Sequence, residues 1–367
     1  MHRWKLIGLL ASAGLFACVV SCQPNESGGV GPVKPDPSQP VEYKPTPFPW
    51  KKPANFPEPI YKFSNNPLTV EGVALGRALF YDDALSANGT VSCAFCHQQS
   101  AAFGHTDHAL SHGINDKIGT RNVPAVQNAA FYSSFFWDGG VVDLDLLPIN
   151  PIENPVEMGH NMPALLNALR KGNRYRPLFQ AAFGSDSITS ARFLKAMSQF
   201  MLTMVSANSR YDKYVRKEAG GELTPGELSG LTLFKQKCAG CHAGELFTDQ
   251  RFRNNGLSRD LNKDEGRSLV TLRPEDKYMF RVPSLRNVDR TPPYMHDGRF
   301  WTLDQVLDHY TTNLQDVPEL DPLLRQNQTG KPGISLTVTE KQQIIAFLRT
   351  LTDTEYISDR RLGPPTF

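Results

Sequence analysis

The chain has 367 residues, 40% hydrophobic and 21% charged, and its 39 basic and 37 acidic residues leave a net charge of +2. That length is more than one core usually serves, so two domains with accessories are expected. The composition excludes a disordered or multi-span membrane protein, and the charge balance excludes nucleic acid as the main partner, which needs a concentrated basic surface.

At the N-terminus His2, Arg3 and Lys5 precede an apolar run from Leu6 to Val20. It is too short and too early for a spanning helix and reads as an export signal over residues 1–22. Val19-Val20-Ser21-Cys22 resembles a bacterial lipobox, whose cleavage would leave Cys22 to carry lipid. Leu15-Phe16-Ala17-Cys18 is a weaker second match, and a plain secretory signal with incidental cysteines is the alternative. Each reading predicts a periplasmic protein whose membrane contact, if any, is a lipid anchor. Residues 23–60 hold eleven prolines and little apolar periodicity, which predicts an extended, Pro-rich tether. Folded sequence is expected from Tyr61.

The remainder reads as all-α with long loops. Phe193, Met197, Phe200, Met201 and Met204 recur at helical spacing, the pattern of a packed stripe, with a thioether ligand as the rival use. Arg216 to Leu223, with Gly220-Gly221, is the expected connection between a first domain over 61–217 and a second over 218–367. Thr224-Pro225-Gly226-Glu227 is a capping box with Pro at the first helical position, and Thr302–Gln305 and Thr337–Glu340 cap two more helices. Ile344, Leu348 and Leu351 form the apolar face of the last one.

Cysteine spacing points to the chemistry. Beyond Cys18 and Cys22, four cysteines remain, in Cys93-Ala94-Phe95-Cys96-His97 and Cys238-Ala239-Gly240-Cys241-His242. Each is C-x-x-C-H, the c-type haem attachment signature. Two thiols at this spacing can each add to one vinyl group of a single porphyrin, and the next residue offers imidazole to the iron. A four-cysteine zinc site would want its pairs closer and has no use for the histidines. A thioredoxin-like pair lacks the His and the βαβ context. Structural disulfides are the other use open to such pairs in an exported chain. Two covalently attached haem c groups are expected.

The chain also repeats itself. Val123, Pro124, Asn128, Asp138, Gly139 and Leu144 recur 159 positions later as Val282, Pro283, Asn287, Asp297, Gly298 and Leu303. The haem signatures are offset by 145, and Gly76–Phe80 and Gly230–Phe234 add a weaker match before each. Shared spacing around two haem motifs predicts two cytochrome c-like haem domains related by internal duplication.

Taken together, the residues resemble the bacterial dihaem cytochrome c peroxidases and their MauG-type relatives, over roughly residues 61–355. Besides both haem motifs, the resemblance rests on Arg121-Asn122-Val123-Pro124, Phe136-Trp137-Asp138-Gly139, Asn154-Pro155-Val156-Glu157-Met158 and Thr291-Pro292-Pro293-Tyr294-Met295-His296-Asp297-Gly298. It implies an enzyme that reduces hydrogen peroxide to water at the N-terminal haem. Electrons from a small cytochrome c or copper protein would enter at the C-terminal haem. Glu157 matches the distal carboxylate that moves a proton between peroxide oxygens, a role acid–base chemistry requires; without the family it would read as a surface carboxylate. His112 matches a histidine that caps the peroxidatic iron at rest, against the plainer reading of a loop histidine. Trp137 matches an electron relay between the haems, and a packing aromatic would look the same. Asn122, Thr291 and Pro293 match an interdomain calcium site of one side-chain amide and two backbone carbonyls.

Two positions depart from the commoner pattern. Leu147 stands where the family often has a Gln near peroxide, and Tyr310 where many peroxidases place a Met ligand to the second iron. Tyr310 instead resembles the MauG-like branch. Counting about 100° per residue, Leu303, Val306, Leu307 and Tyr310 share one helix face, while His309 points about 100° away. Tyr310 therefore faces inward, either as an iron ligand or as a packed phenol. His296 sits where the family has a non-ligating loop histidine. The expected function is a dihaem peroxidase. A MauG-like enzyme oxidising a partner protein and a non-catalytic dihaem electron carrier are the alternatives.

Overall fold

The computed structural model describes residues 43–258, 263–325 and 331–366. The export signal, Cys18, Cys22 and the first part of the tether lie outside them. Among the described residues no helix is long and apolar enough to cross a membrane.

The described chain is helix-rich with little sheet, and two helix pairs organise it. Val70–Phe80 packs on Ser190–Thr203, and Pro225–Lys237 packs on Val338–Arg349. A glycine sits at each contact. A Cβ on Gly76 would lie 1.9 Å from the Ala196 carbonyl oxygen, and one on Gly230 would lie 1.9 Å from that of Gln343. Only a residue without a side chain lets the two backbones touch there. One turn after each carbonyl comes a fully buried phenylalanine, Phe200 or Phe347.

Helix starts follow the residues that can satisfy free N–H groups. The Thr224–Glu227, Thr302–Gln305 and Thr337–Glu340 capping boxes all form. The Met-aromatic stripe of Ser190–Thr203 lies in a first core with Leu75, Leu79 and Phe80. A second core gathers Phe234, Phe247, Phe347, Leu348 and Leu351. The strands Phe252–Arg253 and Phe280–Arg281, two residues each, pair antiparallel. Long loops fill the rest.

Loop geometry recurs at the 159-residue spacing. Asn128 and Asn287 are both left-handed, at φ 56° and 59°, and each precedes a short 3₁₀ turn. The bridge Phe135–Val141 corresponds to Tyr294–Phe300. Phe136 and Met295, inside those bridges, also have positive φ, 63° and 74°.

Two stretches make contacts across the expected boundaries. Residues 43–60, within the expected tether, pack on the chain that follows. Trp50 donates its indole N–H to the Leu202 carbonyl at 3.0 Å and stacks 4.5 Å from Phe63. Phe56 is buried edge-on to Phe131 at 5.1 Å. Prolines prevent a helix here but leave an extended chain free to bury aromatic anchors set between them. Contacts also cross the expected division at 217/218. Tyr211 belongs to the second core, whereas Tyr356 and Leu362 return to the first. The Tyr356 hydroxyl donates to the Val126 carbonyl at 2.6 Å, and Arg77 Nε donates to that of Gly363 at 2.6 Å.

The halves are joined by buried polar groups. Arg286 and Asp212, both fully buried, form a two-pronged ion pair at 2.8 Å on each prong. Asn287 donates to Gln127 at 2.6 Å and to Ser206 at 2.9 Å. Each group is paired, which is what makes such a polar seam tolerable.

Candidate active site

The first motif forms a single helical turn, Cys93–Cys96. His97 donates from Nδ1 to the Phe103 carbonyl at 2.8 Å. Burial pushes its pKa down to about 4, so the imidazole is neutral with the Nε2 lone pair free. His242 repeats the arrangement toward the Phe247 carbonyl at 3.2 Å, and burial lowers its pKa as well. A backbone partner on Nδ1 is what an iron-ligating imidazole needs to hold its tautomer and aim.

Around the first motif, Cys96 Sγ lies 3.4 Å from the His112 carbonyl oxygen. Glu157 stands close enough to Cys93 and Cys96 to disfavour their thiolates. Asn154 Nδ2 donates to Glu157 Oε1 at 2.7 Å, which holds the carboxylate in place. Burial raises the Glu157 pKa and outweighs that hydrogen bond, which lowers it. The Glu157 carbonyl accepts from Ile114 at 2.8 Å, tying this loop to the one that carries His112. Leu147 packs against the first core, so this position offers no donor.

Sequence reasoning missed a row of imidazoles here. The His108 ring is 4.2 Å from that of His112, and His105 Nε2 is 3.2 Å from His108 Nδ1. The spacing His105, His108, His112 was the available signal.

The second motif borders a cavity of about 350 Å³. Cys238, Cys241, His242 and Tyr310 line it, along with apolar Leu307, Ile344 and Leu348. Burial pushes the Tyr310 hydroxyl up to about 12, so a phenolate forms there only against a cation. Asn255 Nδ2 lies 3.5 Å from the Tyr310 hydroxyl and 3.4 Å from Met295 Sδ. Met295 is a second soft donor on this cavity that the sequence did not single out. His309 turns away and bonds the Asn255 carbonyl through Nε2 at 3.0 Å. His296 lies against the Phe280 ring at 3.7 Å.

Trp137, Asn122, Thr291 and Pro293 border the same cavity. The Trp137 indole N–H donates to the Asn122 carbonyl at 2.8 Å, and Asn122 Nδ2 donates to that of Ala109 at 3.0 Å. Next to Trp137, Asp138 pairs with Arg121, which also holds Asp264 at 2.6 and 2.9 Å. No group of three or more His, Cys, Asp or Glu among the described residues is arranged to hold a metal ion. Any hard cation here would depend on amide and carbonyl oxygens.

Comparison with known proteins places this arrangement. The di-haem cytochrome c peroxidase family matches residues 70–220. The methylamine utilization protein MauG of Methylorubrum extorquens is 34% identical over 313 residues, covering 82% of this chain and 83% of that protein. This chain belongs to the di-haem cytochrome c peroxidase and MauG family. The cytochrome c551 peroxidase of Nitrosomonas europaea is 33% identical over 291 residues, covering 78% of this chain and 81% of that one. A crystal structure of a MauG-like protein associated with microbial copper homeostasis aligns with a TM-score of 0.77 at 33% identity, over 87% of this chain and 99% of its own. Peroxidase and MauG relatives are matched almost equally, so kinship identifies an oxidoreductase family with haem cofactors and leaves the branch to local chemistry. The residues fit that cofactor: each motif has paired thiols and an imidazole whose Nδ1 bonds a backbone carbonyl, and the second has an apolar-lined cavity beside it.

Proposed function

We propose that this protein is an exported dihaem c-type peroxidase that reduces hydrogen peroxide to water with electrons from a small cytochrome c or copper protein. The observation that carries this reading is Glu157, held by Asn154 beside Cys93 and Cys96 with its pKa raised by burial. When bound, haem supplies the redox chemistry of O–O cleavage; the chain's residues position the reactants and move protons. Two electrons and two protons convert one peroxide to two waters. Glu157 takes a proton from one peroxide oxygen and delivers it to the other, and a raised pKa brings it nearer the operating pH for both steps. His112, on the loop bonded to that of Glu157, would be a further imidazole able to hold the first haem's iron in the resting enzyme. Trp137 carries electrons from the second half to the first.

The remaining assignments belong to this proposal. His97 and His242 would hold the two irons, and Cys93, Cys96, Cys238 and Cys241 would be the attachment points. Asn122, Thr291 and Pro293 hold a calcium ion with water completing its shell, and Cys22 carries the lipid anchor. The matched glycine contacts and left-handed asparagines support an origin of the two haem domains by duplication.

A second reading, a MauG-like enzyme that oxidises a partner protein, is favoured by Tyr310, whose hydroxyl is on the second cavity while His309 is turned away. A turnover assay with hydrogen peroxide and a reduced small cytochrome c, on protein carrying both haems, separates them. Rapid donor oxidation supports the peroxidase, and haem oxidation by peroxide without donor turnover supports the MauG-like enzyme.

A further inference from the structure

The cavity at the second motif is bordered by three arginines, Arg253, Arg281 and Arg286. Two of them are neutralised. Arg253 pairs with Asp321 at 2.6 Å and Asp249 at 2.5 Å, and Arg286 with Asp212. Arg281 is different. Its backbone N–H donates to the Trp137 carbonyl at 2.7 Å, and its Nε donates to that of Phe136 at 3.4 Å. Its Nη1 is buried with no hydrogen-bond partner among the described residues. The guanidinium lies 5.1 Å from the Tyr132 ring centroid, and among the described residues no carboxylate forms an ion pair with it.

A guanidinium with a buried, unbonded N–H and no carboxylate beside it is unfavourable, so a fold that retains one at a cavity points to an anion that enters with a ligand. Haem carries two propionate carboxylates. We infer that Arg281 is the counter-cation for a propionate of the haem attached at Cys238 and Cys241, an inference that rests on the dihaem reading. A guanidinium can meet a carboxylate with two parallel hydrogen bonds, and the free Nη1 supplies one such donor. Arg281 is thus a positioning residue with two attachments, to the cofactor through its side chain and to Trp137 through its backbone. By offsetting negative charge near the iron, it favours the reduced state of that haem.

The test uses the full chain with both haems attached and reads the midpoint potential of each haem by spectroelectrochemistry. Arg281→Gln should lower the second haem's potential, by about a tenfold change in its oxidised-to-reduced ratio, about 59 mV for one electron. The first haem should shift much less, and Arg281→Lys should restore most of the difference. A purely structural arginine would show no such rescue by charge. Two haems by mass with an unchanged second potential in Arg281→Gln would overturn the inference. If Arg281→Gln fails to load haem, resonance Raman of the wild type and Arg281→Lys decides: the propionate bending band should shift between them, and identical bands would overturn it. Fewer than two haems in the wild type would instead overturn the dihaem reading itself, a separate result.

Discussion

The two haem motifs share one half of their surroundings and differ in the other. On the side of the histidine that follows each motif, both imidazoles bond a backbone carbonyl five or six residues on, Phe103 for His97 and Phe247 for His242. Beyond that, the first motif has a carboxylate, Glu157, and a row of imidazoles, while the second has Tyr310, Met295 and Asn255. A group able to shuttle protons marks a place for bond-breaking chemistry; phenol and thioether donors suit holding and tuning a metal. Similar backbones thus present unequal sets of side chains, and the contrast resides in a few residues.

The sharpest way to break that contrast is Glu157→Gln. It removes proton transfer and leaves the haem attachments alone, so kcat for peroxide should fall on the order of 10²–10⁴-fold with both haem spectra intact. Unchanged turnover would mean that the first site's carboxylate has no chemical task. Next come Gly76→Ala and Gly230→Ala, which push a methyl into a carbonyl oxygen at corresponding helix contacts. Each should cost roughly 1–3 kcal/mol in denaturant unfolding, and a large difference between them would show that the two cores are not equivalent.

Tyr310→Phe should change the second haem's spectrum and raise its potential, because phenolate oxygen stabilises ferric iron more than a thioether does. Substituting His309 should leave both unchanged. If Tyr310→Phe were silent, Met295 would be the donor to examine, and the MauG-like reading would lose its support. The smallest effect concerns pH. Burial raises the Glu157 pKa above the ordinary value of 4.5, and the carboxylate acts only when deprotonated. Activity should therefore decline as pH falls through that raised value, giving an acid limb above the usual glutamate range. The limb should be absent from the residual activity of Glu157→Gln.

Several features were legible in the sequence because they depend on neighbours along the chain. Thiol spacing, capping boxes and the Phe193–Met204 stripe are local patterns, and the helix arc already separated Tyr310 from His309. In residues 43–60 the prolines were visible to the same local reading, but the surfaces that receive Trp50 and Phe56 were not.

What the sequence determined by itself is two thiol pairs, each followed by a histidine, and the repeat of spacing around them. Only the tertiary structure decided which groups meet across long separations. It brought the C-terminal tail back to Arg77 and Tyr81, aligned Asn255 with both Tyr310 and Met295, and left Arg281 beside a cavity with no carboxylate paired to it among the described residues. The physical reason is that a charge or a donor acquires its meaning from what surrounds it in space. Burial and pairing are properties of the packed chain, and no window along the sequence contains them.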